Sequence, residues 1–148
     1  MSKRSVFLIL CLLLAAEATA LEVGAIGGAI GRPASFFYGL SAGFGIIVPM
    51  VKLEFEGCRT DDAAVNSISA AAKFRPTFGK FAPYVLVGAG GNFEKLNFKF
   101  SEYRFYTMMG CGFHFLFSSR FSLRADLRFL HFVDINDTRI SGGVFFHI

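Results

Sequence analysis

An all-β fold is predicted for this chain: eight antiparallel strands closed up-and-down into a transmembrane β-barrel, behind a cleaved leader. Three observations predict it. Segments of about ten residues alternate strictly between apolar and polar side chains, which is the period of a strand. The breaks between them alternate between longer and shorter, as loops at one end and tight turns at the other would. The charges, finally, stand on the same face as most of the glycines.

The leader comes first. "MSKRSVFLILCLLLAAEATA" carries Lys3 and Arg4, an apolar run from Val6 to Ala16, then Ala18-Thr19-Ala20. These are the positive region, short hydrophobic region and A-x-A site of a secretory signal peptide. The run is too short for a spanning helix, so a retained anchor is the lesser reading. Leu10 before Cys11 does not make a lipoprotein box. The expected division is a signal peptide at 1–20 and one barrel domain at 21–148.

Those 128 residues hold thirteen basic and ten acidic side chains and no basic run, so nucleic acid is not an expected partner. Cys58 lies in a turn-like polar stretch and Cys111 in mid-segment; they are not expected to pair, and no metal-ligand spacing occurs.

The segments follow in order. In 21–30, Glu22, Gly24 and Gly28 oppose Leu21, Val23 and Ala25. In 36–47, Gly39, Ser41, Gly43 and Gly45 oppose Phe36, Tyr38, Leu40, Phe44 and Ile46. In 50–56, Lys52, Glu54 and Glu56 oppose Val51, Leu53 and Phe55. In 65–75, Ser67, Ser69, Lys73 and Arg75 oppose Ile68, Ala70, Ala72 and Phe74. Segment 81–93, "FAPYVLVGAGGNF", is apolar or glycine throughout and does not declare its faces. In 103–117, Arg104, Tyr106, Gly110, Gly112 and His114 oppose Phe105, Met109, Cys111, Phe113 and Phe115. In 120–132, Arg124, Asp126 and Arg128 oppose Leu123, Ala125, Leu127 and Phe129. In 138–148, Arg139, Ser141, Gly143 and His147 oppose Ile140, Val144, Phe146 and Ile148.

Alternation alone does not say which face is wet. Glycine decides it. A solvent face has no steric need for glycine, which weakens strands, whereas the crowded interior of an eight-stranded barrel does. The other face is almost free of charge, as hydrocarbon requires. The charged face therefore points into a narrow lumen. Unpaired charge is costly there, so Glu22, Glu54, Glu56 and Asp126 are expected to pair with Lys52, Lys73, Arg75, Arg104, Arg124, Arg128 and Arg139 and to plug the interior. Aromatic girdles are expected at both interfaces: Phe36, Phe37, Tyr38, Phe93, Tyr103 and Phe105 at the loop end, and Phe115, Phe117, Phe121 and Phe146 at the turn end.

With these features the chain resembles the OmpA/OmpX-like family of small outer-membrane β-barrels. "FAPYVLVGAG" is similar to that family's "PYxxxGxG" strand, and "GCGFHFLFSSRFSLRADLRFLHF" to its penultimate hairpin, in which an "SDR" turn leads into "LSLRAEYR". "SGGVFFHI" is similar to the C-terminal signal read by the barrel-assembly machinery, through Ser141, Gly143, Phe146 and Ile148; an aromatic is usual where Ile148 stands. The resemblance implies an outer membrane of a Gram-negative cell and outer-membrane lipids and lipopolysaccharide as neighbours. It also implies the assembly machinery and periplasmic chaperones as partners during biogenesis, and a monomer. It is nearly silent on activity, because this fold hosts many functions. Loop residues Arg32, Arg59, Lys95 and Lys99 are expected to meet lipopolysaccharide phosphates; reversing their charge should weaken binding to purified lipopolysaccharide.

No catalytic residue, cofactor or metal is expected. The strongest enzymatic alternative is His131. Lipid A deacylase barrels carry a His-x-Ser pair in the same hairpin, but Phe132 and Val133 follow here. His114 and His147 share the lumen near the turn end; two histidines make a poor metal site, and lumen hydrogen bonding is the preferred reading. "GAIGGAIG" and "GAGGNF" do not open a helix and are not phosphate loops. A structural or surface-interaction role is the expected function, with a deacylase-like enzyme or a soluble periplasmic ligand-binding barrel as alternatives.

Overall fold

The computed structural model describes residues 21–31, 34–46, 48–61, 65–94 and 103–148; the leader expected at 1–20 lies outside them. The strands are β1 (Glu22–Ile30), β2 (Ser35–Ile46), β3 (Val48–Thr60), β4 (Asn66–Phe74), β5 (Phe81–Phe93), β6 (Arg104–Leu116), β7 (Phe121–Phe132) and β8 (Asn136–His147). Each pairs antiparallel with the next, and β8 returns to pair with the whole of β1, from Glu22 opposite His147 to Ile30 opposite Arg139. The barrel is closed and has no free edge, the condition for burying strands in lipid.

Two elements differ from the sequence expectation. β3 extends beyond residues 50–56, because Gly57, Cys58, Arg59 and Thr60 pair with β2 despite their turn-like composition. Cys58 thus sits half-buried in a strand and not in a turn, Cys111 lies exposed on the opposite face of the sheet, and both thiols are free. The contrast in connection length is also weaker than the breaks imply. Residues 75–80 link β4 to β5 at the end that carries Leu21 and Ile148, whereas only 133–135 link β7 to β8 at the other end. The longer turn folds on itself: Phe78 bridges Phe81, and Gly79 takes φ 63° between them, a left-handed conformation that favours glycine.

The polarity of the wall is the reverse of what water requires. Phe36 and Leu40 are each 70% exposed, while Glu22, Lys73 and Arg128 are 0% exposed. A soluble ligand-binding barrel needs those two sets exchanged; this wall is matched to hydrocarbon. β5, unreadable in the sequence, turns Ala82, Tyr84 and Leu86 inward and Phe81, Val85 and Val87 outward. The lumen glycines meet the steric need inferred for them. A Cβ on Gly112 would lie 2.4 Å from the Ala125 carbonyl oxygen and 2.6 Å from Asp126 Cβ. Outward-facing Gly57 has nothing within 4 Å of the same position.

One part of the girdle expectation is corrected. Phe36, Phe37 and Tyr38 are consecutive, so the pleat must send one of them inward. Phe37 is 4% exposed, and the Arg139 guanidinium lies 4.6 Å from its ring centroid. Phe93 is buried as well, packed 5.1 Å from Tyr103.

Candidate functional site

Inward parity places the charges of β1, β3, β4, β7 and β8 around one axis. Two register pairs look unfavourable by themselves: Lys52 faces Lys73 across β3 and β4, and Arg128 faces Arg139 across β7 and β8. Like charges directly opposite destabilise a sheet. Each pair is resolved by a carboxylate from elsewhere on the wall. Glu22 of β1 accepts from Lys52 at 3.2 Å and Lys73 at 3.0 Å, and also from Arg75 at 2.7 Å. Glu56 of β3 reaches across the lumen to Arg128 at 2.6 Å and to Arg139.

The remaining contacts join these two groups into one network. Lys73 also donates to Glu54, linking the Glu22 layer to the next. Arg124 spans Glu54 at 2.8 Å and Glu56 at 2.6 Å, and Arg128 reaches Glu54 at 2.9 Å. Asp126, on the same strand as both arginines, takes 3.0 Å contacts from each, a 2.7 Å hydrogen bond from the Tyr84 hydroxyl and another from Ser141. Ten of the eleven charges expected in the lumen meet here, six cations and four carboxylates among the described residues. The eleventh, Arg104, does not. It stands exposed at the end away from the termini, 5.4 Å from the Phe132 ring centroid, with no carboxylate of the described residues in ion-pair distance. Parity gave its face correctly but not its depth. Above the ionic layers Tyr106, Met108, Leu130 and Phe132 form an apolar cluster with Tyr84 and Leu86.

At the terminal end the network continues into a hydrogen-bonded row. Ser122 Oγ lies 3.0 Å from His114 Nδ1 and 2.8 Å from His147 Nε2, and His147 Nδ1 lies 3.5 Å from Glu22. A hydroxyl has one proton, so at most one of the two histidines accepts from Ser122 and at least one donates to it. The order serine, histidine, carboxylate matches that of an acyl-transfer triad. Ser122 is 0% exposed, however, and cannot meet a substrate carbonyl; the row fastens β6, β7, β8 and β1 together from inside. Ser122 and Tyr84 were not among the site residues expected from sequence. A lone serine in an alternating strand has no signature, and Tyr84 lies in the one strand whose faces were unreadable.

Of the assembly-signal residues, Ser141 faces the lumen, Phe146 packs 5.1 Å from Phe121, and the Ile148 N–H donates to the Leu21 carbonyl at 2.9 Å. Gly143 has no room for a side chain, since a Cβ there would lie 2.5 Å from the Ala25 carbonyl oxygen. Among the expected lipopolysaccharide contacts, Arg59 is exposed; Arg32, Lys95 and Lys99 lie outside the described residues.

His131 is exposed on the outer wall, with Nδ1 against Asn136 Oδ1. It lies opposite Thr107 in register, at the head of a groove of about 290 Å³ floored by Met109 and Phe129. A carbonyl oxygen only accepts, so Nδ1 is the donor in this contact, and in the neutral ring Nε2 is the nitrogen left with the lone pair.

The comparisons with known proteins concern this architecture. No family model matches the chain, and no curated protein matches it by sequence. Solved structures do. The N-terminal β-barrel domain of Pseudomonas aeruginosa OprF is similar over 88% of this chain and 98% of its own, with a TM-score of 0.75 and 20% identity. The fold is that of the small outer-membrane β-barrels. Neisserial surface protein A is similar over 87% of this chain and 96% of its own, at a TM-score of 0.67 and 14% identity. The outer-membrane enzyme PagL is similar over 86% and 99%, at a TM-score of 0.59 and 14% identity. A surface protein and an enzyme share this wall, so the wall does not choose between such roles.

Proposed function

We propose that this protein is an integral outer-membrane β-barrel with a structural or surface-interaction role, closed to solutes and without catalysis. The observation that carries this reading is the ionic network crossing the lumen from β3 to β7 and β8, inside a wall that only hydrocarbon suits. Export through the leader puts the termini in the periplasm and the longest connection, 94–103, outside. The neighbours are then outer-membrane lipids, with lipopolysaccharide on the loop side, and the assembly machinery during biogenesis. Planar-bilayer recording is the test. The purified barrel should insert without discrete conductance steps; reproducible steps at neutral pH would overturn the closed lumen.

A second reading, an acyl-ester hydrolase of outer-leaflet lipid, is favoured by one observation: His131 with an oriented ring, an open Nε2 and a groove beneath it. In that reading His131 is the general base, and PagL supplies the structural analogy. Mass spectra of lipid A from cells producing the protein decide the matter. The non-enzyme reading expects identical spectra with wild type and His131→Ala; loss of an acyl chain with wild type alone would establish the enzyme.

A further inference from the structure

Among the described residues the charges are sorted along the barrel axis. The middle layer balances, with Arg124, Arg128 and Arg139 against Glu54, Glu56 and Asp126. The end away from the termini leans acidic among the described residues, with Asp61, Glu94, Asp134 and Asp137 against Arg59 and Arg104. The terminal end is strongly basic among the described residues: Lys52, Lys73 and Arg75 converge on Glu22, Lys73 also reaches Glu54 in the middle layer, and Lys80 and Arg120 add two further cations at the rim. Lys80 and Arg120 are exposed and belong to the two hairpin turns that flank β5 and β6. Their backbones are fixed, since the Lys80 carbonyl accepts from Leu116 N–H and the Arg120 carbonyl from His147 N–H, each at 2.7 Å. Immediately beside them on the outer wall stand Phe78, Phe81, Phe113, Phe115, Phe117 and Phe121, all more than 40% exposed.

We propose that this rim is a binding surface for an anionic phospholipid. Acyl chains lie on the phenylalanine belt, and the phosphate is held at the height of Lys80 and Arg120. The interior trio on Glu22 adds positive potential behind them and is not itself a lipid contact. Charge complementarity selects the occupant: a zwitterionic lipid fills the same belt but gains little from the cations, while each cation near an anionic surface contributes on the order of fivefold in affinity. The inference goes beyond the outer-membrane reading and rests on it.

The experiment is native mass spectrometry of the folded barrel in detergent, with equal phosphatidylglycerol and phosphatidylcholine of matched chains. Wild type should retain phosphatidylglycerol in preference, on the order of twenty-five-fold for the two rim cations together. The double variant K80E/R120E should fall to parity, and R59E at the other end should keep the preference. Equal adducts on wild type, or a preference that survives K80E/R120E, overturns the proposal; a preference lost only in R59E assigns the lipid to the loop end and overturns it too. Electrophoresis of each sample, boiled and unboiled, separates the two levels. With no heat-dependent shift the membrane reading itself fails, whereas a shift without lipid preference sinks the rim site alone.

Discussion

Replacing Arg128 with methionine should destabilise the barrel by about 3–5 kcal/mol, the range seen when one member of a buried ion cluster is removed. Arg128 is 0% exposed and contacts Glu54, Glu56 and Asp126. Methionine fills most of the volume but leaves three carboxylates sharing Arg124, Arg139 and Lys73. Dispersion can therefore be set aside as the cause, and the loss is electrostatic. Urea titration of the refolded protein in lipid vesicles, followed by the fraction that resists heat-free dissociation on a gel, measures it. Arg59→Met, at an exposed position, should move the midpoint by no more than about 0.5 kcal/mol. If the two variants behave alike, the lumen charges are solvated and the interior is wetter than the network implies.

Gly112→Val should abolish the folded form. Its Cβ would stand 2.4 Å from a carbonyl oxygen of β7 and 2.8 Å from the Tyr84 ring, and the first of these is backbone that can yield only by opening the sheet. Ordinary overpacking costs about 1–3 kcal/mol; a clash with a neighbouring strand exceeds it. Gly57→Val makes the sign of the argument testable. That position faces outward with nothing within 4 Å, and a β-branched residue there suits both strand and lipid. The expected result is no heat-shifted band for Gly112→Val and full folding for Gly57→Val. Equal folding of both would mean that the glycines mark the strands and not the lumen.

Much of this was legible in the residues. Arg124, Asp126 and Arg128, spaced by two with Leu123, Ala125, Leu127 and Phe129 between them, state both a strand and its faces. Adding glycine to the charged side identifies that side as the crowded one. What parity cannot state is depth along the axis. It assigned Arg104 to the lumen face, where Arg104 stands at the mouth beyond the carboxylates. Nor can alternation be read where both faces are apolar, so Tyr84 stayed hidden and with it one of the hydrogen bonds that hold Asp126. Ser122 was missed for a related reason. Its role depends on His114 and His147 arriving from the strands on either side, which only the closed register reveals.

That closure bears on how the chain reaches its final state. The link from Glu56 to Arg139 joins residues 83 apart in sequence, and those from Glu56 and Glu54 to Arg128 join residues 72 and 74 apart. Neighbouring strands can zip together in sequence order, but these struts cannot form until β7 and β8 are in place. A sheet that stops before β7 satisfies Glu22 through Lys52, Lys73 and Arg75, but it leaves Glu56 without any of its partners Arg124, Arg128 and Arg139, and hydrocarbon would reject that charge. The lumen thus acts as a checkpoint on completeness. Only a chain that has brought its last strand home can sink fully into the bilayer, so assembly should be all-or-none, with no stable halfway species left in the membrane.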